Sequence, residues 1–215
     1  MIEIDKIYNE DCLITLSRLE DNSIDLIITS PPYNKNAHAS ASGGGDVWQN
    51  LRGRQIPYDV YNDNMPQEEY EQWQRNIIRE CVRVLKPNGS LFYNHKDIIV
   101  DGLIIPPKWV YDFKIHQQII WKRNGTPALD PHYFYPITEY LYWIVKDEKK
   151  VFFDRSKAAF KNNVWEISFE TNTNHPAPFP KNLVGNIILS CSQEGGGNLR
   201  PLYGKRNNGF DGDKV

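Results

Sequence analysis

Three cysteines, Cys12, Cys81 and Cys191, are all that the 215 residues contain, far apart and each among apolar neighbours. That spacing excludes a disulfide framework and a cysteine-ligated zinc site, and it fits a reducing compartment in which thiols serve as core packing. Long hydrophobic runs are missing too. Nothing approaches the roughly 18–20 apolar residues of a membrane span, and no basic segment followed by an apolar stretch opens the chain. A cytoplasmic protein with no membrane partner is expected. An excess of one charge is also absent: 25 Lys and Arg stand against 27 Asp and Glu, a formal net charge of −2. The chain as a whole therefore offers nucleic acid no electrostatic footprint, and local patches would have to supply one. There is no Ser-His-Asp or Cys-His arrangement to provide a protein nucleophile, no metal site is expected, and there are no internal repeats.

What is present reads as one domain, or one domain with a large insertion. Residues 3–8 resemble a short strand, and Cys12, Leu13, Leu16 and Leu19 a short helix. Ile24, Leu26, Ile27, Ile28 and Thr29 then read as a central strand. That unit suits a parallel sheet covered by helices. From 34 to 66 periodicity is lost in a stretch with ASASGGG, Trp48, Arg52 and Arg54, and a loop this long usually serves function or is disordered. Tyr70, Trp73, Ile77, Cys81 and Val84 or Leu85 recur at helical spacing after Pro66, with Glu68 and Glu69 suited to the helix start. KPNG ends this helix and SLFYN follows as a strand. Further strands are expected at 115–121 and 139–145, with a long aromatic loop between them. The lysine-rich stretch from 146 to 180 is open to two readings, a solvated face or a phosphate-contacting surface. Leu183, Ile187, Ile188 and Cys191 predict a helix over 181–192, begun after Pro180.

The chemistry concentrates where the strand of DLIITSPPYN meets its prolines. Pro31 and Pro32 cannot extend a ladder, and each pushes the residue before it toward extended geometry, so Tyr33 leaves the strand on a stiff stem. Ligands of open α/β sheets sit above the carboxyl ends of parallel strands. There the Ser30 hydroxyl and the Pro31 carbonyl can accept two hydrogen bonds beside the ring of Tyr33. Such a corner suits an exocyclic amine on a planar ring: two acceptors grip its N–H groups while the tyrosine stacks on the ring face. Orienting those protons favours a more tetrahedral nitrogen that can attack an electrophile. Two prolines ending a strand under a capping tyrosine is the equally simple structural reading of SPPY alone.

DLIITSPPYN resembles the catalytic motif of the amino-methylating DNA methyltransferases, an Asp, Asn or Ser followed by Pro-Pro and an aromatic. YNEDCLITLSRLEDNSIDLII, IIWKRNGTP, ITEYLYWIVK and HPAPFPKNLVGNII match, in order, the landmarks of the branch whose catalytic motif precedes its cofactor motif. The resemblance spans residues 3 to about 195. It implies a three-layer α/β fold of the S-adenosyl-L-methionine-dependent methyltransferase kind with a mostly parallel sheet. It further implies methyl transfer to cytosine N4 or adenine N6 of double-stranded DNA, with SPPY leaning toward cytosine N4. Ser30, Pro31, Pro32 and Tyr33 would be catalytic. Asp11 would lie near the cofactor's adenosine, and His175, Pro176, Phe179 and Pro180 belong to the cofactor side. The 34–66 and 122–136 loops would reach DNA, with a cognate restriction endonuclease as genetic partner and no stable protein partner. Taken singly, Asp11 also reads as a helix N-cap, Glu139 as an edge-strand acid and His175 as a loop histidine.

One departure stands out. Where the branch carries a strand and glycine turn reading approximately Asp-Pro-Phe-x-Gly-Ser-Gly-Thr-Thr, this chain reads GGGNLRPLYGKRNNGFDGDKV, with no strand-like run. Residues 198–215 can be encoded so that the next frame reads Ile-Leu-Asp-Pro-Phe-Met-Gly-Ser-Gly-Thr-Thr-Ala-Leu-Thr-Ala-Ile-Lys. Tyr203 before Gly204 allows only ATG or ACG there, and Asn207 before Asn208 only ATA or ACA, which admit the Met and Thr of that run. The expectation is a one-base slip near Gly197, a catalytic domain over 1–197, an aberrant or disordered tail over 198–215, and a fold truncated at its C-terminal end. A catalytically inactive DNA-binding remnant is the alternative.

Overall fold

The computed structural model describes residues 2–3, 5–34, 65–100, 102–125, 132–168, 170, 179–195 and 198–199. Helix α1, Cys12–Ser17, leads through the turn at Asp21 and Asn22 into strand β1, Ile24–Thr29, buried along its whole length. Helix α2, Gln67–Val84, runs directly into β2, Leu85–His95. A small hairpin of β3, Ile98–Val100, and β4, Leu103–Ile105, and a 3-10 turn at Lys108–Asp112 follow. Then come β5, Ile115–Lys122; β6, Thr138–Val145; β7, Val164–Glu166; helix α3, Lys181–Cys191; and β8, Asn198–Leu199.

Six strands form one sheet in the order β7-β5-β6-β2-β1-β8. Strand β1 is parallel to both β2 and β8, and β5 is parallel to β7. Strand β6 is antiparallel to both β2 and β5. The sheet is therefore mixed, not mostly parallel. Residues 123–137, between β5 and β6, hold no helix among those described, and a parallel return runs through a crossover that is usually a helix. Period-2 alternation divides the side chains between two layers. Ile27, Leu91, Tyr93 and Ile144 pack beneath α1 and α2 against Leu16, Ile77, Ile78 and Cys81. Leu26, Ile28, Phe92 and Trp143 face the other way, onto Leu183, Ile187 and Cys191 of α3.

Three local expectations are corrected. No strand forms among the described residues of 3–8. Instead the Glu3 N–H donates to the Tyr8 hydroxyl at 2.6 Å, with Asp5 at φ 60°, which closes the segment on itself. KPNG does not separate helix from strand, because β2 already starts at Leu85. It is an irregularity inside β2, whose pairing passes from Ile24–Leu85 to Leu26–Ser90. Gly89 is needed there, since a Cβ would meet the Asp25 carbonyl oxygen at 2.9 Å. Finally, a strand does follow α3: Asn198–Leu199 pairs with Leu26 and Ile27. The rest of the tail, residues 200–215, lies outside the described residues. So do residues 35–64 of the expected DNA-contacting insertion, and 126–131 of the aromatic loop.

Candidate active site

Four chain segments meet at the carboxyl end of β1. Ser30 and Tyr33 leave β1, and Asn94 and His95 close β2. Because β6 is antiparallel to β2, its first residues lie across from the end of β2, with Tyr140 opposite His95. Glu139 pairs in turn with Trp121 at the end of β5, two residues before Arg123. Strand reversal thus carries an acid and a guanidinium to the proline corner from more than 90 residues along the chain.

The corner is tied down from several sides. The Ser30 Oγ and Tyr33 hydroxyl are 3.1 Å apart, and the Tyr33 hydroxyl donates to Glu139 Oε2 at 3.3 Å. Asn94 Nδ2 donates to the same Oε2 at 3.3 Å, and Arg123 donates to Glu139 Oε1 at 3.0 Å and to the Pro136 carbonyl at 3.0 Å. Both members of the ion pair are largely buried, with side chains 14% and 10% exposed. Burial, followed by the Glu139 charge, holds the Tyr33 phenol well above the usual tyrosine range. The Tyr33 ring packs on His95 with centroids 4.6 Å apart. Below it the Tyr70 hydroxyl donates to the Pro32 carbonyl at 2.6 Å and lies 3.0 Å from His95 Nε2. Pro32's carbonyl is thereby occupied. Pro31's carbonyl accepts no hydrogen bond from the described residues, so it and Ser30 Oγ are two acceptors that the corner can offer. Asn34, fully buried at φ 54°, ends the segment in the left-handed region that asparagine tolerates.

The other expected residues fare differently. Asp11 is the N-cap of α1, its Oδ1 accepting the Leu13 N–H at 2.8 Å, and it is exposed. Phe179 packs against the core cluster beneath α3, and Pro180 is the buried N-cap of that helix, whose Lys181 N–H donates to Glu170. His175 and Pro176 lie outside the described residues. Two of the lysines from the basic stretch are internal staples: Lys146 donates to Asn22 Oδ1 and the carbonyls of Arg83 and Leu85, and Lys161 to the Arg155 carbonyl. Among the described residues no group of His, Cys, Asp and Glu could hold a metal ion, and no helix is long and apolar enough to cross a membrane.

Sequence reasoning missed Arg123, Asn94, His95 and Tyr70, and it read Glu139 as an edge-strand acid. Strand β6 is interior, between β2 and β5. The overlooked signal was the acid itself, standing in the otherwise apolar run ITEYLYWIV, because a buried carboxylate requires partners.

Fold and corner together define an α/β protein with a buried polar corner at the carboxyl end of its central parallel strand. The DNA methylase family (N6_N4_Mtase) matches residues 24–199, and the chain belongs to it. It is 28% identical over 94% of its length to the type II methyltransferase M.BglII of Bacillus subtilis. It is 27% identical over 94% of its length to M2.DpnII of Streptococcus pneumoniae. The chain spans 60% of the first relative and 78% of the second. The cytosine-N4-specific PvuII DNA methyltransferase superposes with a TM-score of 0.63 at 19% identity, covering 86% of this chain and 70% of that one. The M1.HpyAVI–SAM complex superposes at 0.53 and 16% identity, over 92% and 80%. At such identities the superpositions establish the fold.

Proposed function

We propose that this chain carries the catalytic part of an enzyme that transfers a methyl group from S-adenosyl-L-methionine to cytosine N4 or adenine N6 in double-stranded DNA. The observation that carries the reading is the pair of acceptors, Ser30 Oγ and the Pro31 carbonyl, on a corner held by Tyr70, Glu139 and His95. A target base swung out of the duplex would lie against Tyr33, its amine protons directed to the two acceptors and its lone pair left for the methyl group. The corner needs no protein nucleophile. Similarity to proteins named type II methyltransferases supports a cognate restriction endonuclease as the proposed genetic partner.

The described residues fit the cofactor in part. The chain provides the carboxyl ends of parallel β1 and β8, above which ligands of such sheets sit, and an exposed carboxylate at Asp11, while Phe179 packs beneath α3 and Pro180 caps that helix. When bound there, S-adenosylmethionine supplies an electrophilic methyl group. What supports a slipped frame in the tail is codon compatibility alone: residues 198–215 can be encoded so that the next frame reads Ile-Leu-Asp-Pro-Phe. The residues after Leu199, Arg200-Pro201-Leu202, lack the glycine turn that lets backbone approach a ligand closely. That difference favours a second reading, a DNA-binding remnant without transfer activity.

Two measurements decide. Sequencing the coding DNA across Gly195 to Val215 should find the DPFMGSGTT run in the next frame; its absence overturns the slip. Incubation of the present and frame-restored chains with labelled S-adenosylmethionine and DNA, followed by mass spectrometry of the nucleosides, should give N4-methylcytosine or N6-methyladenine with the restored chain. Neither product from either chain would overturn the enzymatic reading. Micromolar cofactor binding by the 215-residue form would show the glycine turn to be dispensable.

A further inference from the structure

The hydrogen bonds at the corner have a direction, and it is set away from the motif itself. Glu139 is paired with the Arg123 guanidinium at 3.0 Å and takes a second bond from Asn94, so as a carboxylate it can only accept. The Tyr33 hydroxyl, 3.3 Å from Glu139 Oε2, has one proton and gives it to that acceptor. What remains on Tyr33 is oxygen lone pairs. The Ser30 hydroxyl, 3.1 Å away, must therefore donate to Tyr33.

This polarity bears directly on the amine chemistry. A Ser30 proton pointed at the target nitrogen would occupy the lone pair that has to attack the methyl group. A Ser30 proton committed to Tyr33 leaves the Ser30 lone pairs for the amine's N–H. We propose that Glu139 is a positioning residue: by taking the Tyr33 proton it obliges Ser30 to donate to Tyr33, which makes Ser30 an acceptor for the target amine. The inference deepens the methyl-transfer reading and rests on it for its consequence, though the direction of the relay does not.

The test reads the relay without cofactor or DNA. In the full chain, with the Tyr33 phenol protonated, the Tyr33 hydroxyl proton is followed by NMR using a tyrosine labelled at position 33. Glu139→Gln should move that proton upfield, because a carboxylate acceptor is exchanged for a weaker neutral one, while Ser30→Ala should move it little. A larger upfield shift in Ser30→Ala than in Glu139→Gln would make Tyr33 the donor to Ser30 and overturn the proposal. Should Glu139→Gln fail to fold, loss of the downfield proton in Ser30→Ala would still overturn the relay, and its retention would support it.

A kinetic arm uses whichever form of the protein transfers methyl groups. Tyr33→Phe and Glu139→Gln should each reduce kcat about tenfold or more, the worth of one hydrogen bond to a charged group, at unchanged DNA affinity. The double variant should be no worse than either single one, as expected for residues acting in series. Fully additive losses would overturn the series. Absence of any methyl transfer by wild type would instead fall on the proposed function, and the NMR result would stand.

Discussion

Asn34 and Met65 clasp one another through two reciprocal hydrogen bonds. Asn34 Nδ2 donates to the Met65 carbonyl at 2.9 Å, and the Met65 N–H donates to Asn34 Oδ1 at 2.8 Å. The two described residues that flank positions 35–64 are therefore joined directly, immediately after the proline corner. Asn34→Ala should cost about 2–4 kcal/mol, combining two lost bonds with the left-handed backbone that alanine dislikes. Asn34→Gly removes only the first contribution. Urea denaturation midpoints should fall in the order wild type, Gly, Ala; an alanine variant as stable as the glycine one would contradict the role of φ.

Ser30→Ala removes one of two acceptors and touches no phosphate. Methyl transfer should drop about tenfold to a hundredfold while DNA affinity stays within twofold. Filter binding and steady-state kinetics on the same preparation separate the two, and equal losses in both would sink the assignment.

The Tyr33 ring has His95 on one side and is half-buried. If it stacks on the extruded base, Tyr33→Ala should weaken retention of that base by about 1–3 kcal/mol. A fluorescent base analogue at the target position reports this directly, and an unchanged signal would remove Tyr33 from base recognition.

Arg123→Ala leaves the Glu139 carboxylate buried without its cation, at an expected cost of about 3–5 kcal/mol. Because the cost is that of an unpaired buried charge, adding Glu139→Gln should recover part of the lost stability. Urea denaturation of the single and double variants would show it; an unrelieved loss in the double variant would mean that Arg123 acts through packing.

Burial pushes the Cys191 thiol up to about 11 and raises Cys81 further. A group whose ionisation is raised stays neutral until pH exceeds the shifted value, so both thiols are unreactive at pH 8. Cys12 is half-exposed. A thiol reagent should label Cys12 first in the native state, with the other two appearing only on unfolding, as peptide mapping would record.

How much could be read in advance follows from distance along the chain. Strand β1, the proline corner and α2 were legible, because alternation, missing amide donors and three-to-four spacing are local properties. The segment at 3–8 had the look of a strand without a neighbour to pair with, and the Glu3–Tyr8 contact took its place. Tyr70 was legible as a core residue of α2, but its hydroxyl bond to Pro32 was not. The acid in ITEYLYWIV signalled a buried partner, but which partner was not legible for either Arg123 or Glu139: only the reversal of β6 against β2 and β5 sets them beside Ser30, and local sequence does not encode which strands will be neighbours.

That reversal of β6 also sets an order of events during synthesis. The SPPY residues emerge from the ribosome early, yet the acid that orients them follows 106 residues after Tyr33. A nascent chain that has folded α1 through β2 holds the prolines and their Tyr70 strut with no carboxylate behind the tyrosine. On the proposed function, the corner becomes chemically competent only when β6 slots between β2 and β5, a non-local pairing that is slow to form. Competence for amine recognition would then be withheld until the centre of the sheet has closed, and a polypeptide halted before that point would carry the whole motif and remain inert.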